Sequence, residues 1–241
     1  MIVTFGELGR YGRTGNALFQ LSAAIGYAKK HNIDFVFPKW AESHLFNIDS
    51  KYFLDTFRVQ NKYEEKNFFY EEIPFLPNVT LHGYFQSPKY FEHCEQDIRT
   101  MLMPKNMGEP LDYCSVHVRR GDYVKLADFH TNLDVAGYYF KAMEMIPSKN
   151  FLIVSDDPEW CRKNFIGNDF TIKSPASGID DLKTLISCKN NIIANSSFSW
   201  WGAYLNTNVD KKIIAPSNWF GPKLRDTHPI YDLIPKTWSL I

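Results

Sequence analysis

The chain has 241 residues, 44% of them hydrophobic and 16% aromatic, and its 27 basic residues are balanced by 27 acidic ones. That apolar content builds the core of one large or two compact domains and excludes a disordered chain. A formal net charge of zero supplies no basic field to draw in nucleic acid, so any anion must be met by a local cluster.

The first elements follow a strand–loop–helix order. Ile2 to Phe5 reads as a short buried strand and Gly6 to Gly15 as a Gly- and Arg-rich loop. From Asn16 to Ala28 apolar residues recur at helical spacing, and Lys29, Lys30 and His31 then suit a helix C-terminus. Ile33 to Phe37 is a second strand, Val79 to Phe85 a third and Tyr90 to Leu102 a helix, while residues 41–78 show no clean period. Pro104 to Pro110 has linker composition and places a domain boundary at 108/109.

Strands and helices alternate after the linker. Strands are predicted at Tyr113–Val118, Phe151–Val154, Phe170–Ile172, Asn191–Ala194 and Ile213–Ala215. Helices are predicted at Val135–Ile146, Pro158–Phe165, Ile179–Cys188 and after Ser197. Such alternation means a parallel doubly wound sheet, and two Rossmann-like layers joined by a linker imply an α/β chain of two domains with a cleft. No run of about 18 apolar residues marks a membrane span, and MIVTFGELGR lacks a signal-peptide pattern. Cys94, Cys114, Cys161 and Cys188 have neither C-x-x-C nor metal spacing; three sit in or beside apolar runs, as buried free thiols in a reducing compartment do. The expected location is the cytoplasm, with the aromatic content leaving room for peripheral contact at the inner face of the membrane.

Ligands of open parallel sheets bind at strand carboxyl ends, so three loops of the second half stand out. Ser115-Val116-His117-Val118 runs into Arg119-Arg120-Gly121-Asp122, where two guanidiniums suit a phosphate or diphosphate. An adhesion-type reading of Arg120-Gly121-Asp122 does not fit a loop leaving a buried strand. Ser155-Asp156-Asp157-Pro158 follows the next strand; Asp157 before Pro158 is a helix N-cap, and Asp156 is left to face the crevice. Asn195-Ser196-Ser197-Phe198 opens a helix with small hydroxylated residues, as a cap or as a phosphate cradle. One of Asp180 and Asp181 reads as an N-cap, while a carboxylate here also matches the two donors of a guanine edge. In the first half, Gly12-Arg13-Thr14-Gly15-Asn16 is either a glycine turn with an Asn cap or a close backbone approach to ligand, and it is not G-x-G-x-x-G. No Asp-x-Asp, metal-ligand set, Walker loop or G-x-S-x-G elbow occurs.

Five segments, GRTGNALFQ (12–20), HGYFQSPKYF (82–91), HVRRGDY (117–123), FLIVSDDPEW (151–160) and DDLKTLISCKNNIIANSSFSWWGAYL (180–205), resemble glycosyltransferase family 11, the GDP-fucose-dependent α-1,2-fucosyltransferases, in its bacterial form. The resemblance implies a GT-B-like fold, an acceptor-side domain at 1–108 and a GDP-fucose-binding domain at 109–241. It implies inverting transfer of L-fucose from GDP-β-L-fucose to O2 of a terminal β-galactoside on an oligosaccharide or lipid-linked glycan, with no metal and no cofactor. By analogy with more distant fucosyltransferases, Arg119 contacts the β-phosphate with His117 beside it, and Arg120 and Asp122 shape the loop. Ser196, Ser197 and Phe198 hold phosphates, Asp156 faces the ligand, Asp181 reads guanine, and Arg13, Gly15 and Asn16 meet phosphate or acceptor.

The chain departs from the α-1,6 enzymes after the Arg-Arg loop, where they carry a glutamate and this chain has Ala127 and Asp128. That leaves Asp128, His130 and Asp122 as candidate general bases. Other fucosyl linkages, α-1,6 or α-1,3, remain open. So does a lectin-like module using Trp200, Trp201, Tyr204 and Trp219 as an aromatic surface.

Overall fold

The computed structural model describes residues 1–134 and 137–241. The chain divides into two compact units, Met1–Lys105 with Pro229–Leu233, and Asn106–His228 with Ile234–Ile241.

The first unit is built on a parallel sheet of order β2-β1-β6-β5, from β1 (Ile2–Thr4), β2 (Asp34–Phe35), β5 (Asn61–Glu64) and β6 (Val79–His82). Two further short strands, β3 (Phe37–Pro38) and β4 (Phe53–Leu54), form a parallel pair of their own, so the strand expected at 33–37 is split between two sheets. Helix α1 (Thr14–His31) starts two residues before the expected position, and every residue from Ala17 to Ala28 is buried. It ends on Asn32 in the left-handed region at φ 51°, with Lys29, Lys30 and His31 in the last turn. Gly26 is required for close approach, because a Cβ there would collide with the carbonyl of Tyr90. β6 stops at His82, short of the expected Phe85, because Gly83 (φ +152°) and Phe85 (φ +50°) leave the extended region. The helix expected at 90–102 is two short 3₁₀ turns followed by α2 (Glu95–Leu102).

The second unit holds a six-stranded parallel sheet of order β12-β11-β10-β7-β8-β9. Its strands are β7 (Leu111–Val118), β8 (Phe151–Ser155), β9 (Phe170–Ile172), β10 (Cys188–Ile192), β11 (Ile213–Ala215) and β12 (Ser239–Leu240). The connecting helices are α3 (Tyr138–Glu144), α4 (Pro158–Asn164), α5 (Gly178–Ser187) and α6 (Ser197–Leu205). Of the helix expected at 135–146, residues 135 and 136 lie outside the described ones. In chain order the strands run outward from β7 to β9, then return to β10 beside β7 and run outward the other way. This is the 3-2-1-4-5-6 order of dinucleotide-binding sheets, which bind ligands where the order reverses, here between β7 and β10.

One apolar row, buried except at half-buried Ile172, fixes the register: Ile214 lies beside Ile192, Ile192 beside Val116, Val116 beside Ile153, and Ile153 beside Ile172. Full burial of each such side chain contributes about 1.5–3 kcal/mol, and a one-residue slip of β7 would send Ser115 and His117 into the core instead. Cys114, Val116 and Val118 pack with Tyr138, Tyr139, Cys161 and Phe165 on that face.

Candidate functional site

Alternation along β7 divides its residues between the two faces of the sheet. Val116 and Val118 enter the core beneath α3 and α4. Ser115 and His117 take the other face, where Ser115 Oγ accepts from Asn191 Nδ2 at 2.7 Å and the His117 ring lies 5.7 Å from that of Phe198. His117 is 6% exposed, and its Nδ1 is buried with no hydrogen-bond partner among the described residues. Burial first, and the charge of Arg119 second, push its pKa down to about 3, so the ring is neutral at physiological pH.

The two arginines that follow have different surroundings. The Arg119 guanidinium is ion-paired with Asp122, and with Asp156 at 2.7 Å, and its carbon lies 5.2 Å from the centre of the Tyr123 ring. Tyr123 in turn stacks on His130, with centroids 3.8 Å apart and planes 4° from parallel. Arg120 turns toward α4: it is ion-paired with Asp134 and with Asp157 at 3.1 Å, and sits 4.1 Å over the ring of Trp160. Arg120 is thus a bracket between loops, while Arg119 is held at the strand end beside His117.

Asp156, expected to face the crevice, instead joins two loops. Its carboxylate accepts from Arg119 Nη1 and from the backbone N–H of Arg120 at 2.9 Å, and a Cβ at Gly121 would collide with it. Ser155 Oγ donates to the Val118 carbonyl at 2.8 Å and accepts from the Asp157 N–H at 3.0 Å, and Asp157 caps α4 by accepting from the Trp160 N–H at 3.1 Å. Neighbouring strand ends are thereby locked before any ligand arrives.

Helix α6 starts at the end of β10, on the other side of the reversal. Ser196 is its N-cap, accepting from the Phe198 N–H at 3.3 Å, so this hydroxyl is engaged in capping; Ser197 is the first helical residue. Asn195, buried just before it, donates to the carbonyls of Thr131 (3.0 Å) and Trp219 (2.8 Å), while its Oδ1 has no partner among the described residues. The His117 and Asn195 atoms are two of nine buried side-chain atoms without a hydrogen-bond partner among the described residues, and they lie one at each strand of the reversal. Buried polar groups are normally satisfied, so these two atoms at the strand ends are available to a ligand.

Of the other candidates, only His130 lies in the Arg119 cluster, through Tyr123. Asp128 is exposed and ion-paired with Lys223 at 2.9 Å. His130 has its pKa lowered, mainly by burial, with Asp122 and Arg119 pulling in opposite senses. Asp181 accepts from Lys173 Nζ at 2.7 Å, and desolvation raises its pKa against that pull. Neither Asp180 nor Asp181 is the N-cap of α5: Ser177 is, accepting from the Asp180 N–H at 3.3 Å, so both aspartates lie in the first turn, where the helix dipole favours them. In the first unit Arg13 occupies the N-cap position of α1 without a side-chain cap bond. Gly15 is buried within α1, and Asn16 is no cap, since its Oδ1 accepts from Gln86 Nε2 at 2.9 Å. The aromatic surface expected at 200–219 does not exist: Trp200 and Trp201 are 0%, Trp219 4% and Tyr204 6% exposed. Asp134 escaped the sequence reading, and Tyr123 and Asn195 entered it only as members of their segments; for Asn195, its place directly after the apolar run Ile192-Ile193-Ala194 was the available signal. Among the described residues, no three His, Cys, Asp or Glu side chains are grouped so as to hold a metal ion.

Residues 23–232 match the family described as glycosyl transferase family 11. An O-antigen biosynthesis glycosyltransferase, WbnK of Escherichia coli, is 38% identical over 130 residues, covering 49% of this chain and 43% of that protein. An α-1,2-colitosyltransferase of Escherichia coli is 31% identical over 188 residues, covering 68% and 63%. The galactoside 2-α-L-fucosyltransferase Sec1 of Mus musculus is 29% identical over 143 residues, covering 54% and 36%. The chain thus spans less than two thirds of the length of each of these relatives. Among solved structures, fucosyltransferase NodZ from Bradyrhizobium superposes with a TM-score of 0.54 at 12% identity, covering 83% of this chain and 91% of that one, and the fold is GT-B-like. With a match extending over most of its length, the chain belongs to glycosyltransferase family 11.

Proposed function

We propose that this chain transfers L-fucose from GDP-β-L-fucose to the 2-hydroxyl of a terminal β-galactoside, with inversion at C1 and without a metal ion. The observation that carries the reading is Arg119, held by Asp122 and Asp156 at the β7/β10 reversal beside the unpartnered Nδ1 of His117. A guanidinium there meets the diphosphate of a nucleotide sugar, the N-terminus of α6 adds backbone N–H groups, and neutral His117 and Asn195 supply the remaining polar contacts. The guanine edge is assigned to Asp181, and the galactoside to the unit containing Met1–Lys105. The acceptor is a galactose-containing oligosaccharide or lipid-linked glycan, met in the cytoplasm or at the inner membrane face. No described helix is long and apolar enough to cross a membrane.

In the reaction the bond from fucose C1 to the β-phosphate oxygen breaks and its electron pair passes to GDP. The acceptor O2 forms the new bond on the opposite face of C1 and releases its proton. Charge grows on the leaving diphosphate, so fixed donors aimed at it lower the barrier. Asp122, His130 and Asp128 are the candidate bases; Asp122 is ion-paired with Arg119, and Asp128 with Lys223 at the surface. One relative, 63% of which this chain covers, is named a colitosyltransferase, which favours a second donor reading, colitose in place of fucose. The test is incubation with fucosyl and colitosyl donors, each with a panel of β-galactosides in EDTA, followed by linkage analysis. An α-1,2-linked product is expected; no transfer from either donor, or a product of other linkage, refutes the reading.

A further inference from the structure

The HGYFQ segment (82–86) of the first unit has no part in the donor chemistry, yet its neighbourhood has the make-up of a binding site. β1 and β6 are neighbours in the first sheet, and the loops leaving their carboxyl ends carry an aromatic ladder. The Tyr11 ring lies 4.7 Å from Tyr84, nearly parallel at 20°, and 4.9 Å from His82. All three rings are partly exposed.

The surroundings fix this ladder. Buried Gln20 donates to the carbonyls of Tyr11 (2.8 Å) and Gly83 (3.3 Å), tying the two loops together. The Glu65 carboxylate accepts from the N–H groups of Tyr84 (2.6 Å) and Phe85 (2.9 Å), and Phe85 is held at φ +50°, a conformation that non-glycine residues adopt at some energetic cost. Glu7, exposed, reaches His82 Nδ1 at 3.4 Å. A rigid, half-exposed ring stack rimmed by phenol, imidazole and carboxylate groups suits a pyranose: the rings take its C–H face and the rim its hydroxyls. A nucleotide phosphate would instead meet Glu7, whose carboxylate repels it.

We propose that Tyr11, His82 and Tyr84 form the acceptor subsite, with Tyr84 stacking on the galactopyranose ring. This rests on the transferase reading above. The experiment measures saturation-transfer NMR of methyl β-D-galactoside and acceptor KM with wild type, Tyr84→Ala and Tyr84→Phe. Wild type and Tyr84→Phe are expected to saturate the sugar ring protons. Tyr84→Ala should lose that signal and raise acceptor KM on the order of tenfold, the scale of one aromatic contact, with GDP affinity unchanged. Absence of sugar saturation in wild type, equal binding by Tyr84→Ala, or equal loss in Tyr84→Phe and Tyr84→Ala would each overturn the assignment. A GDP titration of wild type is the separate control: failure there sinks the donor reading, while Tyr84-dependent galactoside binding would still stand.

Discussion

Replacing Arg119 by alanine separates the chemistry of this site from its stability. Both partners left behind remain in contact with water, since the Asp122 and Asp156 side chains are 41% and 27% exposed. Neither becomes a stranded buried charge, and the pairing is therefore worth about 1 kcal/mol at most. For a chain of this size that lowers Tm by about 2–4 °C. Turnover is different, because in the proposed reaction the guanidinium acts on charge that exists only as the bond to GDP breaks. One preorganised donor in such a position is worth about 3–4 kcal/mol, a loss of roughly a hundred- to a thousandfold. Arg119→Lys keeps the charge but not the planar fork that reaches Asp122 and Asp156 together, so an intermediate loss is expected. Initial rates of fucose transfer at saturating donor, with thermal melts of the same preparations, provide the check. A turnover within about threefold of wild type in Arg119→Ala would refute the assignment, as would a loss accounted for by unfolding.

Arg120→Ala should show the reverse balance. It removes the ion pairs with Asp134, whose side chain is 9% exposed, and with Asp157, together with the contact with Trp160, so its stability loss by chemical denaturation should exceed that of Arg119→Ala. Equal destabilisation in the two arginine variants would contradict the division. Asp156→Ala releases both Arg119 and the Arg120 N–H, so turnover should fall at least about tenfold with acceptor KM unchanged, and Asp156→Asn should recover part of it. His117 sets a pH dependence: with a folded pKa near 3 against an ordinary 6.5, the unfolded chain binds the proton first. Its contribution to stability is complete above pH 6.5 and falls by about 2 kcal/mol by pH 5, a slope that His117→Gln should remove from denaturation curves. Glu65 acts with the opposite sign. Burial raises its pKa to about 7, against the pull of the Tyr84 and Phe85 N–H groups, so its contribution falls as pH rises from 4.5 through 7, and Glu65→Gln should flatten that limb.

The second unit was legible because its strands are short apolar runs alternating with helices, and β9 and β11 lie at the expected residues. β10 was misplaced, since its first half reads as polar. Asn191 is nonetheless buried there, donating to Ser115 Oγ and to the Leu185 carbonyl, both at 2.7 Å, and satisfied amides are invisible to a hydrophobic pattern. β12, two exposed residues completing the sheet edge, carries no pattern at all. Residues 41–78 defied ordering because β4 and β5 are short and partly exposed, so neither burial nor period marks them. Aromatic content misled in the other direction: the tryptophans of α6 pack inward on one another, with Trp200 and Trp201 centroids 5.1 Å apart. Composition alone does not separate a core aromatic from a surface one.

The arginine doublet shows why a strand end can be located from sequence while its division of labour cannot. Consecutive residues leaving a strand point to opposite faces, so two adjacent guanidiniums have different partners even where both are written as a clamp. Val118 enters the core beneath α4, and Arg120, two residues on, turns to the same side, onto Trp160 and the cap Asp157. His117 faces the other side, and Arg119 follows it closely enough to depress its basicity. The doublet thus couples a structural fastening to the charge proposed to act on the donor: any motion that loosened Arg120 from Asp134 and Asp157 would also shift the backbone that aims Arg119. Asp156 holds the same relation from the neighbouring strand, through one oxygen to each residue. On the proposed chemistry, preorganisation of the charge against the departing diphosphate is therefore a property of two strand ends acting together.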